Sequence, residues 1–387
     1  MFTQPFAEAV TEAEKIIEGA PHVRTEQDLL EGYDYLAGSI KASLHMAWAY
    51  DREFPYFTQS TGPYTKMALD NPDTLYFNAN LRPEAEYVVT GRRGTTRDLS
   101  FQVLSGDYST AEVPNSPSAF DDRSIDINDD GTYELRFGPG PAARNYVTLA
   151  PDATTLAVRE VFSDWATERR GEIRIHRVDT LGGAPTPLTA AQMKKRYEVA
   201  GKMLISRLKT WLQFPEWFYL NLPVNTLTSP RLTPGGLSTQ YSAVGHYELP
   251  DDVALVVTVP KSDAPYQGMQ LGSRWYTSLD YQYHQTSLTT DQAAVDPDGL
   301  IRFVISERNP GLTNWIERTG HDRGFVQIRW QRVAREMTAA DGPSVELVPV
   351  DELKDHVTYY DDQRITPEAW AERIAVRQAA VNWRMLG

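Results

Sequence analysis

The chain has 387 residues, of which 41% are hydrophobic and 11% aromatic, so it has enough apolar side chains to bury a large core. Its 38 basic and 52 acidic residues leave a formal net charge of −14, which disfavours binding to nucleic acid or to an anionic membrane surface. The absence of cysteine excludes disulfides, thiol nucleophiles and thiolate metal sites. No window approaches the roughly 18 apolar residues of a membrane span, and the first residues lack a signal-peptide pattern, so we expect a cytoplasmic protein.

Three helices are predicted from periodic apolar residues and their caps. The first covers residues 25–50, with Thr25 as its N-cap. The second opens at Thr189, where Gln192 occupies the capping-box position, and its aromatic continuation FPEWFYLNLPVN is predicted to be irregular because it contains two prolines. The third opens at Thr366, and the proline that follows occupies the tolerated first helical position.

Short runs of β-branched and aromatic residues, bounded by Gly, Pro, Asn and Asp, predict seven strands between the first two helices and a second block of strands starting near Ser238. Their spacing leaves no room for crossover helices, so the sheets should be mainly antiparallel. We therefore predict a mainly β fold of the α+β class, with two tandem antiparallel β-sandwich, jelly-roll-like domains. No repeat is evident at the residue level. The predicted segments are a helical N-terminal part (1–60), a first sandwich (61–187), a linking helix with the aromatic segment (188–225), a second sandwich (226–350) and a C-terminal helix (351–387).

The segment SRWYTSLDYQYHQTSL, residues 273–288, is predicted to be one strand with an aromatic face and an ionisable face. On a straight strand Asp280 and His284 would lie roughly 13 Å apart, so each would need a partner from a neighbouring strand. A polar row that simply faces solvent is the alternative. The candidate site residues of this segment are Arg274, Trp275, Tyr276, Asp280 and His284.

The strand LIRFVISER places Ile301, Phe303 and Ile305 on one side, and the same alternation points Glu307 inward at the strand end. An inward carboxyl is suited to act as a general acid, and Arg308 beside it is a candidate substrate-binding residue. Alternatively, Glu307 reaches solvent past the strand end or pairs with an arginine.

The segment LDNPDTLYFNANL contains a turn at Asn71-Pro72-Asp73 that leads into a strand. One face of this strand carries Tyr76 and Asn78 in a row of neutral polar side chains. Such a row suits the hydroxyl groups of a sugar or polyol, and it equally suits water. Asp73 is the third candidate carboxyl.

Common catalytic motifs are absent from the sequence. It contains no G-x-S-x-G elbow, no P-loop, no G-x-G-x-x-G and no histidines at metal-ligand spacing. We therefore predict neither a cofactor nor a metal ion, with a metal site assembled from distant strands as the alternative.

Roughly residues 235–335 resemble the bacterial domain-of-unknown-function family 1214, in which Pro-Gly, Asn-Trp, Gly and Arg-Trp recur near the C-terminus. The stretch 71–76 is similar to an Asn-Asp-Thr-Leu-Tyr sequence of the N-terminal companion family 1254, with Pro72 inserted. The resemblance implies tandem β-sandwich, jelly-roll-like domains and no established reaction. In the region 235–335 it rests on Pro310, Gly311, Asn314, Trp315, Gly320, Gly324, Arg329 and Trp330.

Three functions stay open. The first is a cofactor-free hydrolase or lyase that acts on a hydroxyl-rich or glycosidic small molecule by carboxylate and histidine acid–base chemistry. The second is a binding protein or cofactor-free enzyme for an apolar aromatic or terpenoid-like ligand, and the third is a structural or assembly protein; a homo-oligomer is compatible with each. We favour the first, with a small-molecule substrate. Its candidate catalytic residues are Glu307, Asp280, His284 and Asp73, and its candidate substrate-binding residues are Arg274, Tyr276, Trp275, Tyr76, Asn78 and Arg308.

Overall fold

The structure is a computed structural model that describes residues 1–49, 51–106, 115–232 and 240–386, with the backbone alone at 115, 117 and 386. Within these ranges the chain forms four β-sheets and five α-helices. The predicted mainly β fold, with two tandem sandwiches and helices before, between and after them, is confirmed. None of the described helices combines the length and apolar character needed to cross a membrane.

The three predicted helices begin where their capping sequences predict, and the structure adds one helix before the first of them and a short one before the last. Thr25 Oγ1 accepts the Asp28 N–H before the second helix, and Thr189 and Gln192 form the capping box of the third. The predicted end at residue 50 lies outside the described residues. The bounds are α1 (Gln4–Glu18), α2 (Glu26–Ala49), α3 (Ala190–Phe218), α4 (Leu353–His356) and α5 (Pro367–Leu386).

The prediction of an irregular segment over residues 214–225 is wrong for its first part, because α3 continues through Pro215 to Phe218, and correct for residues 219–225, which are neither helix nor strand. Phe214 stacks on Tyr276 with ring centroids 5.3 Å apart, and Trp211 stacks on the same ring. This packing offsets the backbone hydrogen bond that a proline inside a helix removes.

The first sandwich consists of eight strands in two sheets. Its front sheet has the order β1-β7-β3-β4 and its back sheet the order β6-β5-β2-β8. The bounds are β1 (Thr74–Asn80), β2 (Tyr87–Arg92), β3 (Asp98–Ser105), β4 (Asn115–Asp121), β5 (Thr132–Gly138), β6 (Tyr146–Thr148), β7 (Ala153–Val161) and β8 (Glu172–Arg177).

The second sandwich has a front sheet in the order β10-β11-β17-β13-β14, with β9 also paired to β11, and a back sheet in the order β16-β15-β12-β18. The strand predicted from Ser238 starts at Tyr241, and residues 233–239 lie outside the described part of the chain. The bounds are β9 (Thr226–Leu227), β10 (Arg231–Leu232), β11 (Tyr241–Glu248), β12 (Val253–Pro260), β13 (Tyr266–Gly272), β14 (Ser287–Thr289), β15 (Leu300–Ser306), β16 (Trp315–Glu317), β17 (Arg323–Gln331) and β18 (Ser344–Pro349).

The two sandwiches have the same topology. Replacing β1 to β8 by β11 to β18, in order, converts both sheets of the first sandwich into those of the second. Each also contains one parallel pair, β5 with β6 and β15 with β16. The chain is therefore a structural duplication that the residue-level comparison misses.

Each sandwich has its own apolar core between its two sheets. Phe101 and Phe137 lie in the first core, and Tyr247 and Trp330 lie in the second. Strand alternation directs these side chains inward and leaves the outer face of each front sheet for other contacts. The outer face of the second front sheet meets the first sandwich near the start of β1 and the end of β7, where Thr289 Oγ1 donates to the Ser163 carbonyl over 2.5 Å.

The prediction of one strand over residues 273–288 is wrong. Strand β13 ends at Gly272, a long loop follows, and β14 supplies only the last part. Tyr276 has a left-handed φ of 58°, and the Ser273 N–H donates to the Thr277 carbonyl over 2.9 Å, so the chain turns there. The alternation that suggested a strand over residues 273–288 comes from aromatic side chains of this loop that pack in different directions.

Candidate functional site

The predicted general acid Glu307 does not point into the core. Ile301, Phe303 and Ile305 are buried as predicted, but β15 ends at Ser306 and the alternation ends with it. Glu307 accepts the Gly320 N–H over 3.1 Å, lies 3.8 Å from Arg318 Nε and keeps 34% of its side chain exposed. The prediction of an inward carboxyl is therefore wrong, and the alternative of an arginine neighbour at the strand end is correct.

Arg308, the candidate substrate-binding residue beside Glu307, is exposed. It pairs with Asp351 over 3.3 Å on the surface. An exposed pair of this kind contributes little free energy. Nothing in this geometry directs Arg308 toward an enclosed site.

Asp280 and His284 also lie apart from each other. The exposed Asp280 carboxylate accepts the N–H groups of Gln282 and Tyr283, which is a turn cap. His284 Nδ1 is 2.9 Å from Glu317 Oε2 at a half-exposed position. The three carboxyls proposed for glycoside hydrolysis therefore have separate sets of hydrogen-bond partners, and the predicted ionisable row does not exist.

Trp275, Tyr276 and Arg274 anchor the loop after β13 to the helices and the sheet. Trp275 is buried against α2, where a Cβ at Gly32 would come within 2.4 Å of its ring. The Tyr276 hydroxyl donates to the Tyr219 hydroxyl over 3.3 Å, and the Arg274 guanidinium lies 5.4 Å from the Phe325 ring centre. These contacts account for all three residues as parts of the packing.

Asp73 lies in a buried network at the junction of the two sandwiches. Trp165 Nε1 donates to its Oδ1 over 2.7 Å, and the hydroxyl of Tyr266, from the second sandwich, donates to its Oδ2 over 2.6 Å. Asn71 Nδ2 donates to the same hydroxyl over 2.9 Å. The turn before β1 is thus joined to β13, a contact between strands far apart in sequence.

Burial raises the pKa of Asp73, while the hydrogen bond from Tyr266 and the charges of Arg384 and Arg377 lower it. Burial and the Asp73 charge raise the pKa of Tyr266 well above its ordinary value. Tyr266 therefore keeps its proton at neutral pH and remains the donor of the pair.

Two arginines of α5 complete this network. Burial lowers the pKa of Arg377 to about 9, and its guanidinium lies 4.2 Å from the Trp165 ring centre. Arg384 lies 4.1 Å from the same ring and donates to the Pro72 carbonyl. The sequence pattern of α5 placed Arg377 on an apolar face, but it contained no sign that the arginines reach the first sandwich.

The polar row of β1 faces the junction as well. Leu75 and Phe77 enter the core, whereas Tyr76 and Asn78 lie on the outer face and are partly exposed. The Tyr76 hydroxyl accepts the Asn71 N–H over 2.9 Å, and no described residue accepts its own proton. Asn78 Nδ2 donates to the Ser60 hydroxyl over 3.0 Å.

Arg159 and Arg329, which the search for candidate site residues missed, flank Tyr76. Arg159 is its β-pair partner on β7, and Arg329 comes from β17 of the second sandwich. Burial raises the pKa of Tyr76, and the charges of Arg329 and Arg159 lower it. The sequence contains one signal for Arg329, which alternates with Gln327 and Gln331 on the outer face of β17. A solvated strand face more often carries Lys, Glu and Thr, so this face is typical of a sheet that another surface covers.

The arrangement around Tyr76 can bind and protonate a polar ligand. Tyr76 supplies an uncommitted hydroxyl proton, and Asn78 and Arg159 supply partly exposed polar atoms beside it. Among the described side chains, no three His, Asp or Glu are grouped as metal ligands would be.

The Asn-Trp motif is architectural, and its contacts recur in the first sandwich. Asn314 accepts the Ala294 N–H over 2.8 Å and donates to the Ala294 carbonyl over 2.7 Å. Asn145 binds the N–H and carbonyl of Asp126 in the same way, over 2.8 and 3.1 Å. Both asparagines immediately precede the strand that forms the parallel pair, so the motif belongs to the duplicated fold.

Comparison with known proteins supports the fold and leaves the reaction open. No family model matches the chain, and no curated protein sequence matches it significantly, so the resemblance to families 1214 and 1254 stays a prediction. A protein from Vibrio parahaemolyticus aligns over 88% of this chain and 99% of its own at 12% identity, but its TM-score of 0.44 carries no structural conclusion. The crystal structure of an uncharacterised protein from Burkholderia cenocepacia covers 91% of this chain and 98% of its own, with 26% identity and a TM-score of 0.82. The chain shares the fold of that bacterial protein.

Proposed function

We propose that the protein is a cofactor-free hydrolase or lyase that binds a hydroxyl-rich small molecule at the junction of the two sandwiches, with Tyr76 as its general acid. The observation that carries the proposal is the hydroxyl of Tyr76. It accepts one hydrogen bond from Asn71, keeps its own proton uncommitted among the described residues, and lies between two arginines.

The protonation state of Tyr76 favours the role of acid over that of base. Because burial raises its pKa, Tyr76 is protonated at neutral pH, but the same shift makes it a weaker acid. Its proton can pass to a leaving oxygen only if the phenolate that forms is stabilised. The phenolate that results lies near the charges of Arg329 and Arg159, which stabilise it. Tyr76 thus replaces the carboxylate pair that the sequence suggested.

Asn78 and Arg159 are the proposed ligand-binding residues. Both are partly exposed on the face that carries Tyr76, and both offer donors to hydroxyl groups. Asp73 is a positioning residue in this scheme and acts through a chain of hydrogen bonds. It accepts from the Tyr266 hydroxyl, which in turn accepts from the Asn71 side chain. The backbone N–H of Asn71 then donates to the Tyr76 hydroxyl.

Most of the aromatic segment FPEWFYLNL packs against the protein itself, although its Trp217 is 39% exposed. Trp211, Tyr219 and Tyr276 are buried with Phe325 in one cluster between α3 and the second front sheet. This packing weakens the main reason for proposing an apolar ligand.

The proposal is tested with a panel of nitrophenyl glycosides, following both nitrophenol release and the ultraviolet absorbance of unsaturated sugar products. We expect turnover by the wild type and a loss of about 100-fold or more in Tyr76→Phe. Tyr64→Phe is the matched control, because Tyr64 is 73% exposed and should keep full activity. The proposal fails if no glycoside is turned over, or if Tyr76→Phe is as active as the wild type.

A further inference from the structure

The duplicated topology places two arginine–glutamine pairs at equivalent positions. Arg159 of β7 pairs in register with Ser100 of β3, and Arg329 of β17 pairs in register with Gly268 of β13. The residue two positions further along β3 is Gln102, and along β13 it is Gln270. Each arginine therefore has a glutamine at the same offset in the neighbouring strand.

The side-chain contacts of the two pairs are the same. Arg159 Nη1 donates to Gln102 Oε1 over 2.7 Å, and Arg329 Nη1 donates to Gln270 Oε1. Each neutral amide orients the guanidinium on the outer face of its sheet without cancelling its charge. Arg159 is the register partner of Tyr76, and Arg329 Nη2 donates to the Leu69 carbonyl over 2.6 Å, two residues before Asn71, whose N–H binds the Tyr76 hydroxyl. The two pairs, which lie on different front sheets, therefore both lie near Tyr76.

Neither arginine has an ion-pair partner in the described parts of the chain. No carboxylate oxygen there lies within 4.0 Å of Arg159 or Arg329, although Arg329 is buried. Burial raises the pKa of the nearby Asp70 carboxyl, with the charges of Lys66 and Arg329 opposing the rise, and its two oxygens accept from Ser278. Two cations without ion-pair partners, one buried and one partly exposed, favour an anion from outside the chain.

We infer that the ligand of the proposed site is an acidic sugar or polyol whose anionic group lies between the guanidinium groups of Arg159 and Arg329. The inference rests on the proposed function and specifies its substrate class. A carboxylate or a phosphate ester would supply the required oxygens, because both accept paired N–H donors from arginine. The hydroxyl groups of the same molecule would then reach Tyr76 and Asn78.

Calorimetric titration of the full-length chain at low salt tests the inference with three matched probes: D-glucuronate, D-glucose 6-phosphate and D-glucose. We expect at least one acidic probe to bind tenfold or more tightly than glucose, and Arg159→Gln and Arg329→Gln each to remove that advantage. The acid that binds identifies the anionic group. Arg174→Gln is the control, because Arg174 is an 82% exposed arginine of a back sheet.

Arg329 is buried, so its variant is examined first by circular dichroism, and the partly exposed Arg159 carries the test if Arg329→Gln does not fold. Two results overturn the inference: glucose binding as tightly as both acids, or acid binding that Arg159→Gln leaves unchanged. The proposed function still stands in either case if Tyr76→Phe impairs turnover. If none of the three probes binds and no glycoside is turned over, both are overturned.

Discussion

The Tyr266 hydroxyl donates a 2.6 Å hydrogen bond to Asp73 Oδ2 across the junction of the two sandwiches. The two residues are 193 positions apart, and both are buried. A carboxylate in such a place depends on its donors, because water does not replace a donor that is lost. This bond therefore contributes both to the stability of the junction and to the position of the turn before β1.

We expect Tyr266→Phe to lower the free energy of unfolding by about 2 kcal/mol, the usual cost of leaving a buried charged acceptor without one donor. Urea denaturation measures the change, with Tyr64→Phe as an exposed control. A loss below about 0.5 kcal/mol would mean that Trp165 and the α5 arginines satisfy Asp73 without Tyr266.

Arg384 should not tolerate replacement by lysine. Its planar guanidinium lies 4.1 Å from the Trp165 ring centre and donates to the Pro72 carbonyl, and an ammonium group cannot keep both contacts. We expect Arg384→Lys to destabilise the protein by about 2 kcal/mol. The exchange of the Phe162 amide, which donates to the Asp73 carbonyl, should also accelerate. In contrast, Arg144→Lys at an exposed pair should change neither quantity, and equal behaviour of the two variants would contradict the proposed packing role.

Asp98 and His22 give the stability opposite dependences on pH. Burial raises the pKa of Asp98 from 3.8 to about 6, with Arg332 opposing the rise and Asp121 adding to it. The folded chain therefore holds a proton that the unfolded chain releases. The contribution of Asp98 is complete below about pH 4 and is lost as pH rises through about 6, by about 3 kcal/mol at most.

Burial lowers the pKa of His22 from 6.5 to about 4, and the Arg274 charge adds to the effect. Here the unfolded chain binds the extra proton. The contribution of His22 is present above pH 6.5 and is lost as pH falls toward about 4, so it opposes Asp98 in the same window.

We expect the free energy of unfolding of Asp98→Asn to rise more steeply with pH, relative to the wild type, between about pH 4 and 6. His22→Gln should show the opposite change. Urea unfolding at several pH values measures both slopes. Parallel profiles for the wild type and both variants would show that neither group titrates differently on folding.

The two equivalent asparagines permit a matched comparison. Asn314→Ala removes two hydrogen bonds to Ala294 and should cost about 2 kcal/mol. Asn145→Ala also removes a bond to the Glu134 carbonyl and adds strain, because alanine adopts the left-handed φ of 57° unfavourably. Since Asn145 is more exposed than Asn314, we expect a similar total loss of about 2 kcal/mol. Asn145→Gly should recover the part of the loss that comes from the backbone. Equal values for alanine and glycine at 145 would exclude that strain.

Local features of the sequence are sufficient to predict most elements of this fold. Thr25 and Thr189 mark helix starts because their capping contacts join residues only three positions apart. Alternation identifies strands such as β1, since the inward side of a half-buried strand repeats every second residue. Pro215 leads to a wrong prediction of the end of α3. The hydrogen bond that it removes is visible in the local sequence, whereas the aromatic packing that outweighs this loss involves residues distant in sequence.

The site could be predicted only in part. The polar row containing Tyr76 and Asn78 is visible because it belongs to one strand. Its neighbours Arg159 and Arg329 lie on two different front sheets and come near Tyr76 only because those sheets meet. The spacing of residues within one strand does not predict which sheet faces will be in contact. Glu307 was misplaced for a related reason, because alternation predicts a direction only while the strand continues.

The duplication of the sandwiches contrasts with the way their cores are completed. Ala380 and Val381 of α5 pack in the core of the first sandwich, whose strands end about two hundred residues earlier. During synthesis the first sandwich therefore leaves the ribosome before the helix that closes its core has been made. The first sandwich can therefore complete its apolar core only after the second sandwich and α5 have been made, so its maturation depends on the second half of the chain.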